Sequence, residues 1–291
     1  MKVLVVGATG KFAGLVIPEL KKRGVTVYGL LHNKNKAEEA KKRGADELVT
    51  GDLNDIQSLR SAAEGMDGVF HINPAFLENE AEAGINMVNA AISAGVRKFV
   101  FSGVYHPSLS LINHAGKRHV EEALYYSDLV FTILQPSSFM QNLDAGWDQM
   151  MESGKLMQPF SKYSKMTYID YRDVAEVAAI AMTGDHLNYG TFDLSFRGMY
   201  NRIEIAKQIS EVSGRIIIEA EEVPFEDWAS SAKIPEGPIK EGLKAMYANY
   251  NKNGFKGGND IILRALLNRE PRTLQDYLRE MAYKEEITQP N

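Results

Sequence analysis

Val3-Leu4-Val5-Val6-Gly7-Ala8-Thr9-Gly10-Lys11-Phe12-Ala13-Gly14 is the stretch on which the fold turns. Val3–Val6 is a short apolar run with the character of a strand buried on both faces. It passes directly into Gly7, and a helix is expected to begin near Lys11. Gly7 can supply a tight turn, Gly10 an open backbone, and Ala13 a side chain small enough for close helix–strand packing. A glycine pattern alone is weak, because structural turns also use glycine. Its setting decides what it means.

That setting is a repeat of strand and helix. Further apolar or β-branched runs follow at Val25–Leu31, Glu47–Thr50, Gly68–Ile72, Lys98–Phe101 and Leu129–Leu134, with polar helix-forming segments between them. The alternation predicts a parallel sheet wound with helices on both faces. Lys21-Lys22-Arg23-Gly24 and Lys41-Lys42-Arg43-Gly44 mark helix ends, basic residues offsetting the negative end and glycine taking the left-handed cap; Ala94-Gly95 marks a third. The reading is an α/β fold: a doubly wound, mostly parallel Rossmann-type sheet of six strands over residues 1–135.

After Gln135 the rhythm breaks. Met140–Gly154 reads as helical, Met166–Asp170 as a strand and Tyr171–Met182 as a helix. Thr191–Leu194 and Ile216–Ala220 read as short strands flanking a helix at Ile203–Ser213. From Phe225 onward helices dominate. Residues 136–291 are expected to form a smaller, mainly helical region on the substrate side of a cleft, with 168–195 packing back onto the first domain.

The chain has 291 residues, enough to bury a full core. It has no cysteine, which excludes disulfides and thiolate metal sites and fits a reducing compartment. A formal charge of −5 argues against the chain as a whole binding a polyanion. No apolar run approaches the roughly 20 residues of a membrane span, and Val3–Val6 is too short for a signal-peptide core. The expectation is a cytoplasmic protein without direct nucleic-acid or membrane binding.

At the first strand–helix junction of such a sheet, a glycine turn and a positive helix end suit a pyrophosphate. Gly7, Ala8, Thr9, Gly10, Lys11, Phe12 and Ala13 are therefore expected to hold a nicotinamide dinucleotide. NAD sites usually place an acid after the second strand; here Leu31-His32-Asn33-Lys34-Asn35-Lys36 contains none. His32, Asn33 and Lys36 can donate to a 2′-phosphate that a carboxylate would repel, so NADP(H) is favoured over NAD(H). The competing reading is a solvated basic helix start. Asp52, followed by Leu53, either accepts from the adenine amino group or caps the next helix. The strand order should reverse between the first and fourth strands, so Asn73 and Pro74 should line the cofactor groove.

With these pieces in place the chain resembles the NmrA-like family of atypical short-chain dehydrogenases/reductases. The resemblance rests on GATGKFAG (7–14), LLHNKNKA (30–37), GDL (51–53), FVFSGVYHP (99–107), NHAGKRHVEEAL (113–124), FTILQPSSFMQN (131–142) and YIDYRDVAEVA (168–178). It continues to REPRTLQDYL (269–278) and implies an NAD(P)-binding domain plus a small variable domain. Members include quinone- and azo-reducing enzymes and redox-sensing regulators that bind cofactor without turnover. The family's usual third glycine is Ala13 here, and an arginine common near the end of the second strand is His32. Ser102 and Gly103, after the fifth strand, are expected to contact the cofactor, and Pro136, Ser137 and Phe139, after the sixth, to lie over the nicotinamide.

The broader short-chain dehydrogenases use a Tyr-x-x-x-Lys helix whose Tyr gives the proton. The aligned segment is Asn113-His114-Ala115-Gly116-Lys117: the lysine is kept and the tyrosine is an asparagine, which cannot act as an acid. Hydride transfer to a quinone needs no protein acid, only alignment of two rings. Lys117 then either anchors the cofactor ribose or is a surface lysine. Tyr105 and His106 are candidate donors at the cleft, and His106 reads equally as a loop histidine. Met140, Met150, Met151, Met157 and Met166, with Phe160, Tyr163 and Tyr168, form either an adaptable pocket wall or ordinary core. His114 and His119 are wrongly spaced for a shared metal, and no metal is expected. The leading function is an NADPH-dependent reductase of a quinone-like or other flat apolar acceptor. The alternative is an NADP(H)-sensing regulator with a protein partner.

Overall fold

The structure, a computed structural model, describes residues 1–214 and 217–288. The chain alternates β1 (Lys2–Val5), α1 (Ala13–Lys22), β2 (Thr26–Leu31), α2 (Ala37–Lys42), β3 (Glu47–Thr50), α3 (Ile56–Ala63), β4 (Gly68–Ile72), α4 (Glu80–Ser93), β5 (Lys98–Ser102), α5 (Ile112–Tyr125) and β6 (Val130–Pro136). It continues with β7 (Ser138–Phe139), α6 (Trp147–Ser153), β8 (Lys155–Gln158), β9 (Tyr168–Ile169), α7 (Tyr171–Thr183), β10 (Gly190–Leu194), α8 (Arg202–Ser213), β11 (Glu219–Glu222), α9 (Phe225–Ser231), α10 (Pro238–Asn253), α11 (Ile261–Leu267) and α12 (Leu274–Thr288). Two compact units result: Met1–Pro136 with Tyr171–Asp193, and Ser137–Asp170 with the chain from Leu194 onward.

The first unit is a doubly wound sheet in the order β10-β6-β5-β4-β1-β2-β3, seven strands rather than six because β10 extends the β6 edge. The pairings from β3 across to β6 are parallel, with Val3 beside Val27 on one side and Gly68 on the other. The order reverses between β1 and β4, the switch point at which such sheets open a crevice. Leu4, Val69, Phe99, Phe101, Phe131 and Ile133 join Leu59, Met87, Val120 and Leu124 in one core under α3, α4 and α5. α1 and α7 pack together on the other side and contribute nothing to that core.

Several boundaries differ from the sequence reading for local reasons. α1 begins at Ala13, not Lys11, because the tight turn closed by Gly10 N–H to Gly7 O at 2.7 Å uses the intervening residues. Met140–Gly154 is not one helix: a 3₁₀ turn ends at Asp144, and Gly146 at φ 81° interrupts before α6. The strand read at Ile216–Ala220 forms at Glu219–Glu222, and Ile216 lies outside the described residues.

In the second unit β8 pairs in parallel with β11, β7 with β9, and α8 packs on α12. Arg202 is buried at the start of α8 and donates to the carbonyls of Gln158, Phe160 and Glu221 while lying over the Phe160 ring at 4.7 Å. Burial lowers its pKa to about 10. No helix of the described residues is long and apolar enough to cross a membrane.

Candidate functional site

Gly7 ends β1 in the left-handed region, φ 76°, which side chains rarely adopt. A Cβ on Gly10 would lie 3.0 Å from the Gly7 carbonyl oxygen. The chain then enters α1 with no side chain capping its first turn. Ala8 turns inward, its Cβ against Gly29 in the middle of β2, so the loop lies close upon the sheet. Thr9 is half-buried and Lys11 exposed, while the half-buried Phe12 ring meets Tyr171 at 5.1 Å. Ala13 is buried, as close packing of α1 requires.

Beyond β2, His32, Asn33 and Lys36 are exposed. The Asn33 side-chain oxygen accepts from the Asn35 N–H at 2.9 Å, which shapes this turn. Asp52 was read as a ligand to adenine or a helix cap, and the cap of α3 is Asp55, which accepts from Gln57 and Ser58. The Asp52 side chain accepts from the Asn54 N–H at 2.9 Å, and its other oxygen lies 3.7 Å from His32 Nδ1. An acid absent after β2 in the sequence thus arrives from the end of β3. Leu53 is half-buried against the core.

The ends of β4 and β5 carry a buried polar layer on the α4–α5 side. His71 is fully buried, stacks on Phe101 at 5.8 Å, and its Nε2 bonds the Asn73 side-chain oxygen. Burial holds its pKa down to about 4. The Asn73 amide donates to the Glu80 carbonyl at 2.9 Å, while Pro74 is exposed. Lys117 is not the surface lysine of the competing reading. Its ammonium is buried, paired with the Glu80 carboxylate and donating to the Asn113 carbonyl at 2.8 Å. Burial pushes the Glu80 carboxyl up, against the opposing pull of Lys117.

Ser102 and Gly103 part company at the end of β5. Ser102 is fully buried and accepts from the Tyr171 hydroxyl. A Cβ on Gly103 would lie 2.8 Å from a Glu121 carboxylate oxygen, so this position is small because α5 presses an acid against it. Glu121 accepts from the Gln135 amide at 2.9 and 3.0 Å. Burial raises its pKa to about 7, opposed by Gln135 and assisted by Asp193. Tyr105 is buried, its N–H bonded to the Pro136 carbonyl at 3.0 Å. The half-buried His106 ring meets the Tyr105 ring edge-on at 4.2 Å. His106 stands at φ 56°, and its carbonyl meets Nδ1 of the buried His114 at 3.0 Å.

Ser137 and Phe139 belong to the second unit. The Ser137 N–H bonds the Leu194 carbonyl at 2.9 Å, and Phe139 pairs with Ile169. Of the apolar wall read from sequence, Met140, Met150, Met151, Met166, Phe160 and Tyr168 are buried, and Tyr163 is exposed. Glu80, Glu121 and Tyr171 were not singled out in the sequence. Tyr171 lies within the YIDYRDVAEVA segment, but nothing local marks its partner 69 residues away. Among the described residues no cluster of three or more His, Asp or Glu side chains is suited to a metal.

A model of the NmrA-like family matches residues 1–278. An NAD(P)H azoreductase of Xenophilus azovorans is 29% identical over 219 residues, covering 73% of this chain and 74% of that protein. A photosystem II assembly factor of Synechocystis sp. is 27% identical over 225 residues, covering 74% and 68%. The solved triphenylmethane reductase of Citrobacter sp., complexed with NADP(H), superposes with a TM-score of 0.83 at 25% identity, covering 97% of this chain and all of that one.

Proposed function

The chain belongs to the NmrA-like family, and we propose that it is an NAD(P)H-dependent reductase that delivers hydride directly to a flat conjugated acceptor such as a quinone. The observation that carries the reading is the Gly7 turn, left-handed and open, leading from β1 into an uncapped α1 beside the β1–β4 switch point. A cofactor's pyrophosphate fits where a Cβ on Gly7 or Gly10 would be strained or crowded. His32, Asn33 and Lys36 serve a 2′-phosphate, which favours NADP(H). Asp52 and Leu53 serve the adenine, and Asn73, Pro74, Gly103 and Lys117 the ribose side. When bound, the nicotinamide supplies the hydride.

The chain's own work is then alignment and exclusion of water. Asn113 stands where a tyrosine would donate a proton, so an acceptor that takes its proton from solvent suits this protein better than an alcohol or ketone. His106, half-exposed in its loop, is the more open of the two candidate donors, and Tyr105 is buried. The similar azoreductase and triphenylmethane reductase act, by their names, on extended conjugated molecules, which supports the acceptor class.

A second reading is a cofactor-binding protein that works through a protein partner without turnover. It is favoured by Asn113, by the engagement of Lys117 with Glu80, and by the similarity to an assembly factor. Titration with NADPH and NADH, followed by cofactor absorbance with a panel of quinones and azo dyes, separates the two. Oxidation upon acceptor addition supports the reductase; saturable binding with no oxidation across the panel supports the second reading.

A further inference from the structure

Glu80 has no part in the reductase reading, and its surroundings give it one. It is the first residue of α4 and only 2% exposed. One carboxylate oxygen takes the Lys117 ammonium from α5. The other accepts from the Phe76 N–H at 2.9 Å. Phe76 stands at φ 67°, in a region that a residue with a side chain seldom enters without support. It lies in the loop that follows β4, at the switch point.

Helix α5 packs directly on this acid in ordinary van der Waals contact. Gly116, inside α5, faces Glu80: a Cβ there would touch the Glu80 side chain at 3.4 to 3.5 Å. A glycine inside a helix weakens that helix. A buried ion pair is also a poor device for stability alone, since well-packed apolar groups do as well. What the pair achieves that apolar packing cannot is a fixed direction for an ammonium group. Lys117 has four rotatable bonds and would otherwise be free to point elsewhere.

We propose that Glu80 is a positioning residue for cofactor binding, holding the Lys117 ammonium and the loop after β4 in one geometry. The inference rests on the reading that the first unit binds a nicotinamide cofactor. Glu80 acts on the ribose side, away from the basic turn after β2. Its loss therefore weakens NADPH and NADH alike.

The test is a double-mutant cycle on the full chain, read as cofactor dissociation constants by calorimetry well below the melting transition. Wild type, Glu80→Gln, Lys117→Met and the double variant are titrated with NADPH and with NADH. Each single substitution is expected to weaken both cofactors about tenfold. The double is expected to be no weaker than the worse single, because both remove one arrangement. A folded Glu80→Gln protein of wild-type affinity overturns the proposal, as do losses that multiply in the double. If Glu80→Gln does not fold, Phe76→Gly is added, since glycine takes the left-handed turn unaided. Affinity about tenfold below wild type in that protein supports the role through Lys117; wild-type affinity overturns it. Wild-type protein that binds neither cofactor removes the underlying reading itself, an outcome distinct from binding that ignores Glu80.

Discussion

The Tyr171 hydroxyl donates to Ser102 Oγ at 3.0 Å, and both residues are completely buried. The bond ties the first turn of α7 to the end of β5, next to the loop that carries Tyr105 and His106. The Tyr171 ring also packs on Phe12 of the glycine loop. Burial raises the Tyr171 pKa well above the usual tyrosine range, so the group works as a fixed donor. Tyr171→Phe keeps the ring and strands the Ser102 hydroxyl, with an expected loss of about 1–2 kcal/mol in denaturant unfolding. Tyr171→Ala also opens a cavity and should cost about 3–5 kcal/mol. Equal stability of Tyr171→Phe and wild type would mean that Ser102 does not depend on this donor.

The glycine turn is tested against a glycine that shares its backbone but not its place. Gly7 has φ 76° and Gly24, at the end of α1, has φ 74°. A Cβ meets only ordinary contacts at Gly7, 3.6 Å to Ala13, and nothing within 4 Å at Gly24. Each change to alanine should cost about 1 kcal/mol or somewhat more from backbone strain. Only Gly7→Ala should also weaken cofactor binding, measured by titration. Equal affinity in the two variants would contradict the assignment of the turn to the pyrophosphate.

Two buried histidines predict acid sensitivity. Burial holds His71 and His114 each to a pKa of about 4, against an ordinary value of 6.5. The unfolded chain therefore binds protons more readily, and the native state loses stability as pH falls from about 6.5 toward 4. Above 6.5 the contribution is complete. The loss is of order 2–3 kcal/mol per histidine at the low end. Urea unfolding at a series of pH values should show His71→Asn with a shallower fall than wild type; an unchanged slope would rule His71 out as its source.

Glu121 acts in the opposite sense. Its pKa in the fold is raised to about 7, chiefly by burial. The unfolded chain gives up that proton more readily, so wild type is penalised as pH rises from about 4.5 through 7. Glu121→Gln keeps the shape of the neutral acid without the charge. It should be more stable than wild type by about 1 kcal/mol at pH 8, allowing for the solvent that still reaches the group, and nearly equal at pH 5. A difference independent of pH between 5 and 8 would refute the ionisation as its cause.

Asp52 and His32 are predicted to set the cofactor ratio. With the carboxylate 3.7 Å from the imidazole, the same corner sets a carboxylate that would repel a 2′-phosphate beside a donor that would hold it. Asp52→Asn should raise the preference for NADPH over NADH several-fold, about 1 kcal/mol of relative affinity. His32→Ala should lower NADPH affinity and leave NADH unchanged. Parallel titrations with both cofactors check this, and a ratio indifferent to either change would move the discrimination elsewhere.

The sequence by itself determined the wound sheet and the place of its glycine turn, because both are local. Strand and helix periodicity, helix ends and a glycine at a forced left-handed turn are written in neighbouring residues. The same locality limited what could be read of the site. The lysine at 117 was visible, but not that Glu80 would reach it from another helix. Ser102 was visible after its strand, but not that Tyr171 would turn it inward. Asp52 was ambiguous between cap and ligand until α3 formed behind Asp55. Partners that lie tens of residues apart are chosen by how helices pack on the sheet, and burial then sets their ionisation. The turn at Gly7 belongs to the sequence; the charges and hydrogen bonds around it belong to the tertiary structure.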